Sequence, residues 1–138
     1  MRFIDANVFL YAVLITRKPL PEPVVRRKAA AKDIFLRVNS GEPVVTTTVH
    51  LSEVANVLED SAGIVFAGDL LDAILSKPSV EVATVSADDY RDSLVLAKKF
   101  GVSINDALAL VIMEQKSIEE IYTFDRHFEQ APVRIVQQ

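Results

Sequence analysis

The chain has 138 residues, half of them hydrophobic, a formal net charge of −4 and no cysteine. That length predicts one domain, residues 1–138, able to bury its own core, and the charge argues against a surface that is basic all over. Disulfides, thiolate nucleophiles and cysteine-ligated zinc are excluded, and the longest apolar run, Ala107 to Met113, falls far short of the roughly 18 residues that span a bilayer.

The N-terminus has no basic, apolar and small-residue succession of a secretory signal, which predicts a soluble cytoplasmic protein. Arg2-Phe3-Ile4 reads as a short strand, Asp5-Ala6-Asn7 as a turn, and Val8 to Leu14 as the apolar start of a helix. Asp5 therefore stands where a strand hands over to a helix, the position at which open α/β sheets bind ligands. Capping of the following helix would explain an aspartate there equally well. Thr16 to Pro23 holds Pro19, Pro21 and Pro23 and reads as a loop. Val24 to Asn39 follows as a helix, with Val25, Ala29, Ile34, Phe35 and Val38 on one face, and Ser40-Gly41 closes it. Arg26, Arg27, Lys28, Lys32 and Arg37 lie mostly off that face, and residues 1–40 carry +5 against −9 for residues 41–138. Such asymmetry points to an anionic partner, with the basic part as grip and the acidic part as chemistry; a solvated helix face explains the basic cluster as well.

Val44 to Thr47 is a β-branched strand, and Thr48 to Asp60 a helix burying Leu51, Val54, Ala55 and Leu58. Glu53 shares a row with Val49 and Val57, at the edge of the core. Ala62 to Lys77 reads as a helix stopped by Pro78, and Val80 to Val85 as a strand. Ser86-Ala87-Asp88-Asp89 matches a capping box, making Asp89 structural, and Tyr90 to Phe100 runs as a helix to Gly101. Val102-Ser103-Ile104 reads as an extended link before Asn105 to Lys116, a helix with almost no polar face. Asp106 stands in its first turn, where Ser103 and Asp106 also fit a capping box. Ile121 to Phe124 reads as a strand ending at Asp125, Arg126-His127-Phe128 as a turn or short helix, and Pro132 to Val136 as the last strand. Strands alternating with helices predict an α/β fold, a mostly parallel sheet covered on both faces.

In a parallel sheet the strand ends gather on one rim, so Asp5, Glu53, Asp106 and Asp125 can converge there. Carboxylates held together repel and take up protons unless a divalent cation keeps them ionised. All-oxygen ligation without cysteine or histidine favours Mg²⁺ or Mn²⁺ over zinc. Such ions serve phosphoryl chemistry, activating water and stabilising a leaving oxygen, so no protein nucleophile is required. Neither G-x-S-x-G nor a P-loop is present.

Phe3 to Tyr11 (FIDANVFLY), Leu51 to Leu58 (LSEVANVL), Ile104 to Leu110 (INDALAL) and Tyr122 to Phe128 (YTFDRHF) resemble, in order and spacing, the four acidic motifs of the PIN-domain nucleases. The likeness is greatest to the small single-domain members that include VapC-type toxins. It implies a three-layer α/β/α sandwich and Mg²⁺- or Mn²⁺-dependent cleavage of RNA. By the same resemblance Asp5, Asp106 and Asp125 would ligate metal, and Glu53 would ligate a second metal or position the attacking water. Asn7 and Thr123 would orient ligands or substrate, or serve as cap and turn residues. An antitoxin protein and a homodimer are the partners implied. Ala6 departs from the Ser or Thr of many relatives, and the proline-rich loop is unusual.

Phe3 to Asn7 also resembles the first motif of haloacid-dehalogenase-like phosphatases, but that motif needs a second aspartate where Asn7 stands. The other alternative is a non-catalytic domain that binds RNA or protein and uses its acids as caps. His50 and His127 are read as ordinary structural residues.

Overall fold

The computed structural model describes residues 1–13 and 19–136. Leu14 of the predicted first helix and Thr16 to Lys18 of the predicted loop lie outside the described residues. The chain runs β1 (Arg2–Ile4), α1 (Ala6–Val13), α2 (Glu22–Asn39), β2 (Val44–Thr47), α3 (Thr48–Ala62), α4 (Ile64–Leu75), β3 (Val80–Ala83), α5 (Ala87–Phe100), α6 (Ile104–Gln115) and β4 (Glu120–Tyr122). A 3₁₀ turn (Arg126–Gln130) and β5 (Arg134–Ile135) complete it. The sheet order is β3-β2-β1-β4-β5, and every pairing is parallel.

Because successive strand residues face opposite sides, each apolar strand supplies two cores. Ile4, Val44, Val80 and Tyr122 face a cluster containing Val8, Phe9, Ile34, Val54, Leu58 and Ile74 from α1 to α4. Phe3, Val45 and Ile121 face the other, built from Ala107, Ala109, Leu110, Ile112 and Met113 of α6 together with Phe128. The result is the expected three-layer α/β/α sandwich, with α5 packed on α6. From β1 the chain builds outward through β2 to β3, then crosses the other face through α5 and α6 to place β4 on the far side of β1. The strand order thus reverses between β1 and β4, where a ligand crevice opens in sheets of this kind.

Several local expectations need correction. Ala6 and Asn7 form the first turn of α1 rather than a free turn, because the Asp5 carboxylate caps the Ala6 N–H. Pro23 lies inside α2, since proline is tolerated in a first helical turn where N–H groups lack partners anyway. The buried face of α2 is Ala31, Ile34 and Val38; Val25 is about half exposed. Ala62 ends α3, and Gly63, at φ +93°, separates it from α4, a conformation glycine adopts without steric cost. Ile104 opens α6 because Ser103 is its N-cap. β3 ends at Ala83, β4 at Tyr122, and β5 is only two residues long. Among the described residues no helix is long and apolar enough to cross a membrane.

Candidate metal centre

Asp5 directly follows β1 and extends its ladder with β4, its N–H donating to the Tyr122 carbonyl at 3.0 Å. Its carboxylate is almost fully buried, 5% of the residue being exposed, with Oδ1 accepting from Ala6 N–H at 2.8 Å and Oδ2 from the Thr123 hydroxyl at 2.6 Å. Thr123 also accepts from Asp125 N–H at 3.0 Å and from Asn7 Nδ2 at 3.4 Å. One hydroxyl thus ties the end of β1 to the end of β4. The Asn7 amide oxygen accepts from Phe124 N–H at 3.2 Å, so Asn7 holds the loop after β4 in place.

Asp106 is buried in the first turn of α6, its N–H donating to Ser103 Oγ at 3.1 Å. The contrast with Ser86 and Asp89 is informative. There the capping box is complete, with Asp89 Oδ2 accepting from Ser86 N–H at 2.9 Å and Asp89 N–H donating to Ser86 Oγ at 3.1 Å. At Ser103 the serine half forms, while the Asp106 carboxyl is left to the cleft, with an oxygen within 4.8 Å of one of Asp125. Capping therefore accounts for one Asp89 oxygen, the other accepting from Gln115 Nε2 at 2.8 Å, whereas at Asp106 it accounts only for the backbone N–H. Glu53, on α3, accepts from Asn105 Nδ2 at 3.0 Å. Asp125 Oδ1 accepts from His127 N–H at 2.8 Å and lies 3.0 Å from His127 Nδ1.

All four acids line one open cleft of about 430 Å³, together with Asn7, Ser103 and Asn105. Thr123 lies beneath it through its bonds to Asp5 and Asp125. Burial, reinforced by the negative charges of Glu53 and Asp125, pushes Asp5 up to about 6. Burial, then the charges of Asp125 and Asp5, push Asp106 up to about 7. Among the described residues no lysine or arginine makes a salt bridge to any of the four. Buried carboxylates that resist ionisation for want of positive charge fit a divalent cation, and their oxygen-rich donor set fits a hard one. Asp106, Asp125 and His127 each offer a ligand atom, and these atoms lie within 4.8 Å of one another.

Two neighbours of the cleft were missed from sequence. Asn105 is the residue before Asp106, and its bond to Glu53 requires α3 and α6 to be brought together, which no local pattern announces. His50, read as an ordinary structural residue, lies three residues before Glu53 on α3; its Nε2 is buried 3.8 Å from Asp5 Oδ1. Burial pushes His50 down to about 4, so the ring is neutral. Thr47 Oγ1 accepts from His50 N–H at 3.1 Å and lies 2.6 Å from Nδ1. Donation of that hydroxyl to Nδ1 leaves the ring proton on Nε2, facing Asp5.

Comparisons with known proteins agree with this architecture. VapC20 of Mycobacterium tuberculosis, a sarcin-ricin loop cleaving toxin, superposes with a TM-score of 0.79 at 23% identity, covering 100% of both chains. VapBC2 from Rickettsia felis, bound to a promoter DNA fragment, gives 0.67 at 14% identity over 98% of this chain and 96% of the other. A toxin-antitoxin complex from Klebsiella pneumoniae gives 0.66 at 14% identity over 99% and 96%. No curated protein matches in sequence. The PIN domain family model matches residues 2–133, and with nearly the whole chain accounted for, this protein belongs to the PIN domain family.

Proposed function

We propose that this protein is a ribonuclease dependent on Mg²⁺ or Mn²⁺, formed by residues 1–138 as one catalytic domain and acting in the cytoplasm as the toxin of a toxin-antitoxin pair. The observation that carries this reading is the single cleft lined by Asp5, Glu53, Asp106 and Asp125 at the β1/β4 reversal. Asp5, Asp106 and Asp125 would hold the cation, with Glu53 holding a second one or orienting the attacking water. When bound, such an ion supplies charge neutralisation at the phosphodiester and activation of water. The chain's own residues prepare for it: Thr123 fixes Asp5, Asn105 fixes Glu53, and Asn7 fixes the loop bearing Asp125.

The toxin role is supported by the antitoxin-bound relatives of the same fold. A small antitoxin would cover the acid cleft. Self-association into a homodimer is supported by the exposed Ile64 and Val65 at the start of α4, each 77% exposed. A monomer at all concentrations on a sizing column would refute the dimer. The decisive experiment is RNA cleavage with and without EDTA, comparing the wild type with Asp5→Asn and Asp106→Asn. Cleavage abolished by EDTA and by either substitution is expected; cleavage that survives both contradicts the reading.

A further inference from the structure

Beside the acid cleft lies a larger groove of about 870 Å³, bordered by Arg26 and Arg27 of α2, Phe124, Asp125 and Arg126 after β4, and Arg134 of β5. Asp125 lines both cavities, so they meet at that residue. We propose that this groove holds the single-stranded RNA adjoining the cleaved bond, its arginines gripping backbone phosphates and Phe124 offering an aromatic surface to a base. The proposal rests on the ribonuclease reading and deepens it.

A polyanion brought to a cluster of carboxylates on a chain of net charge −4 is repelled unless cations lie along its path. The groove supplies them. The side chains of Arg26, Arg126 and Arg134 are 70%, 82% and 73% exposed. Their carboxylate partners are Glu22 at 3.9 Å, Glu129 at 2.9 Å and Glu120 at 2.7 Å. The Arg26 and Arg126 pairs are exposed at both partners and hold weakly in water, so a phosphate can take the carboxylate's place there. Arg134 stays bound to the half-buried Glu120 and adds its positive charge to the rim. Arg27 is held differently: its Nη1 donates to the Tyr11 hydroxyl at 3.3 Å, and its guanidinium lies 5.9 Å from the Tyr11 ring centre. Tyr11 in turn packs against Phe124 with ring centres 5.2 Å apart. Arg27, Tyr11 and Phe124 thus form a braced row from α2 to the loop that carries Asp125. Guanidinium groups beside aromatic rings are the common means of holding single-stranded nucleic acid, by phosphate contact and base stacking together. An acidic protein segment would use the arginines but has no need of the ring or of continuity with the cleft.

The test is binding of a fluorescein-labelled, mixed-sequence single-stranded RNA oligonucleotide, followed by anisotropy in EDTA over a range of salt. Arg27→Ala and Arg126→Ala should each weaken binding roughly tenfold and reduce the log K against log salt slope by about 0.7 for each lost phosphate contact. Phe124→Ala should weaken binding without changing the slope, and Arg91→Ala on the exposed side of α5 should change neither. Wild-type affinity in all three groove variants, with RNA cleavage intact, would overturn the groove assignment alone. Groove variants that keep RNA and lose a polyglutamate peptide would overturn it in favour of a protein occupant. A wild type that neither binds nor cleaves RNA would remove the ribonuclease reading and the groove with it.

Discussion

Asp106 shows how one side chain can stabilise the fold with its backbone and strain it with its charge. The N–H completes the α6 cap, while the carboxyl is held up to about 7 by burial and by the like charges of Asp125 and Asp5. A carboxyl raised in the folded state contributes stability that is full below its ordinary value of 3.8 and is lost as pH rises through about 7. Asp106→Asn should therefore melt higher than the wild type at pH 8 without metal and match it near pH 4, while losing nuclease activity. Thermal unfolding at the two pH values checks this; a variant less stable at pH 8 would show that the ionised carboxylate helps the fold. Because Asp5 is raised to about 6 as well, Mn²⁺ affinity should climb through pH 6 to 7 and level off by pH 8, with protons released on binding only below that plateau. Calorimetry in two buffers of different ionisation enthalpy reads both, and a flat affinity from pH 5 to 8 would contradict it. Asp5, Asp106 and Asp125 were legible because each stands at a junction between elements, and Glu53, inside α3, because it shares a helix row with Val49 and Val57. His50 was not, since what sets it apart is a buried approach to Asp5 across two strands.

At the scale of elements, legibility depended on how strongly local chemistry punctuates the chain. The Ser86 box and the Gly101 stop placed α5 within three residues of its observed span, and the unbroken apolar run of α6 announced a buried helix. On α2 the C-terminal part of the expected face is buried, Ile34 and Val38 turning inward with Phe35 packed beside them, while Val25 and Ala29 continue the apolar pattern past the point where the helix leaves the core and Ala31 takes their place. The last strands shrank because parallel pairing with short neighbours, and not β propensity, limits their length. α6 carries Asp106 on a rigid, buried base, so its packing sets the site's precision. Leu108, wholly buried in α6, should cost about 2–5 kcal/mol when cut to alanine. Denaturant titration checks the value, and a loss under 1 kcal/mol would mean that α6 is less tightly held than its burial indicates.

Across the whole molecule, the order β3-β2-β1-β4-β5 converts four acids scattered over 121 positions of sequence, Asp5 to Asp125, into one cleft. The alternation of elements implied a parallel sheet, but nothing local fixes which strand lies next to β1; that follows from the crossover by α5 and α6 on the opposite face. The charge asymmetry acquires a place in the same way, since Arg26 and Arg27 from the basic first part reach the groove beside Asp125. The most direct test of the account is a calorimetric titration of Mn²⁺ into the metal-free protein at pH 8. Saturable binding, abolished by Asp5→Asn and weakened by Asp106→Asn and Asp125→Asn in proteins that remain folded, is the result expected. Undetectable binding, or equal affinity in all four proteins, would contradict the claim that these carboxylates are gathered to hold a cation.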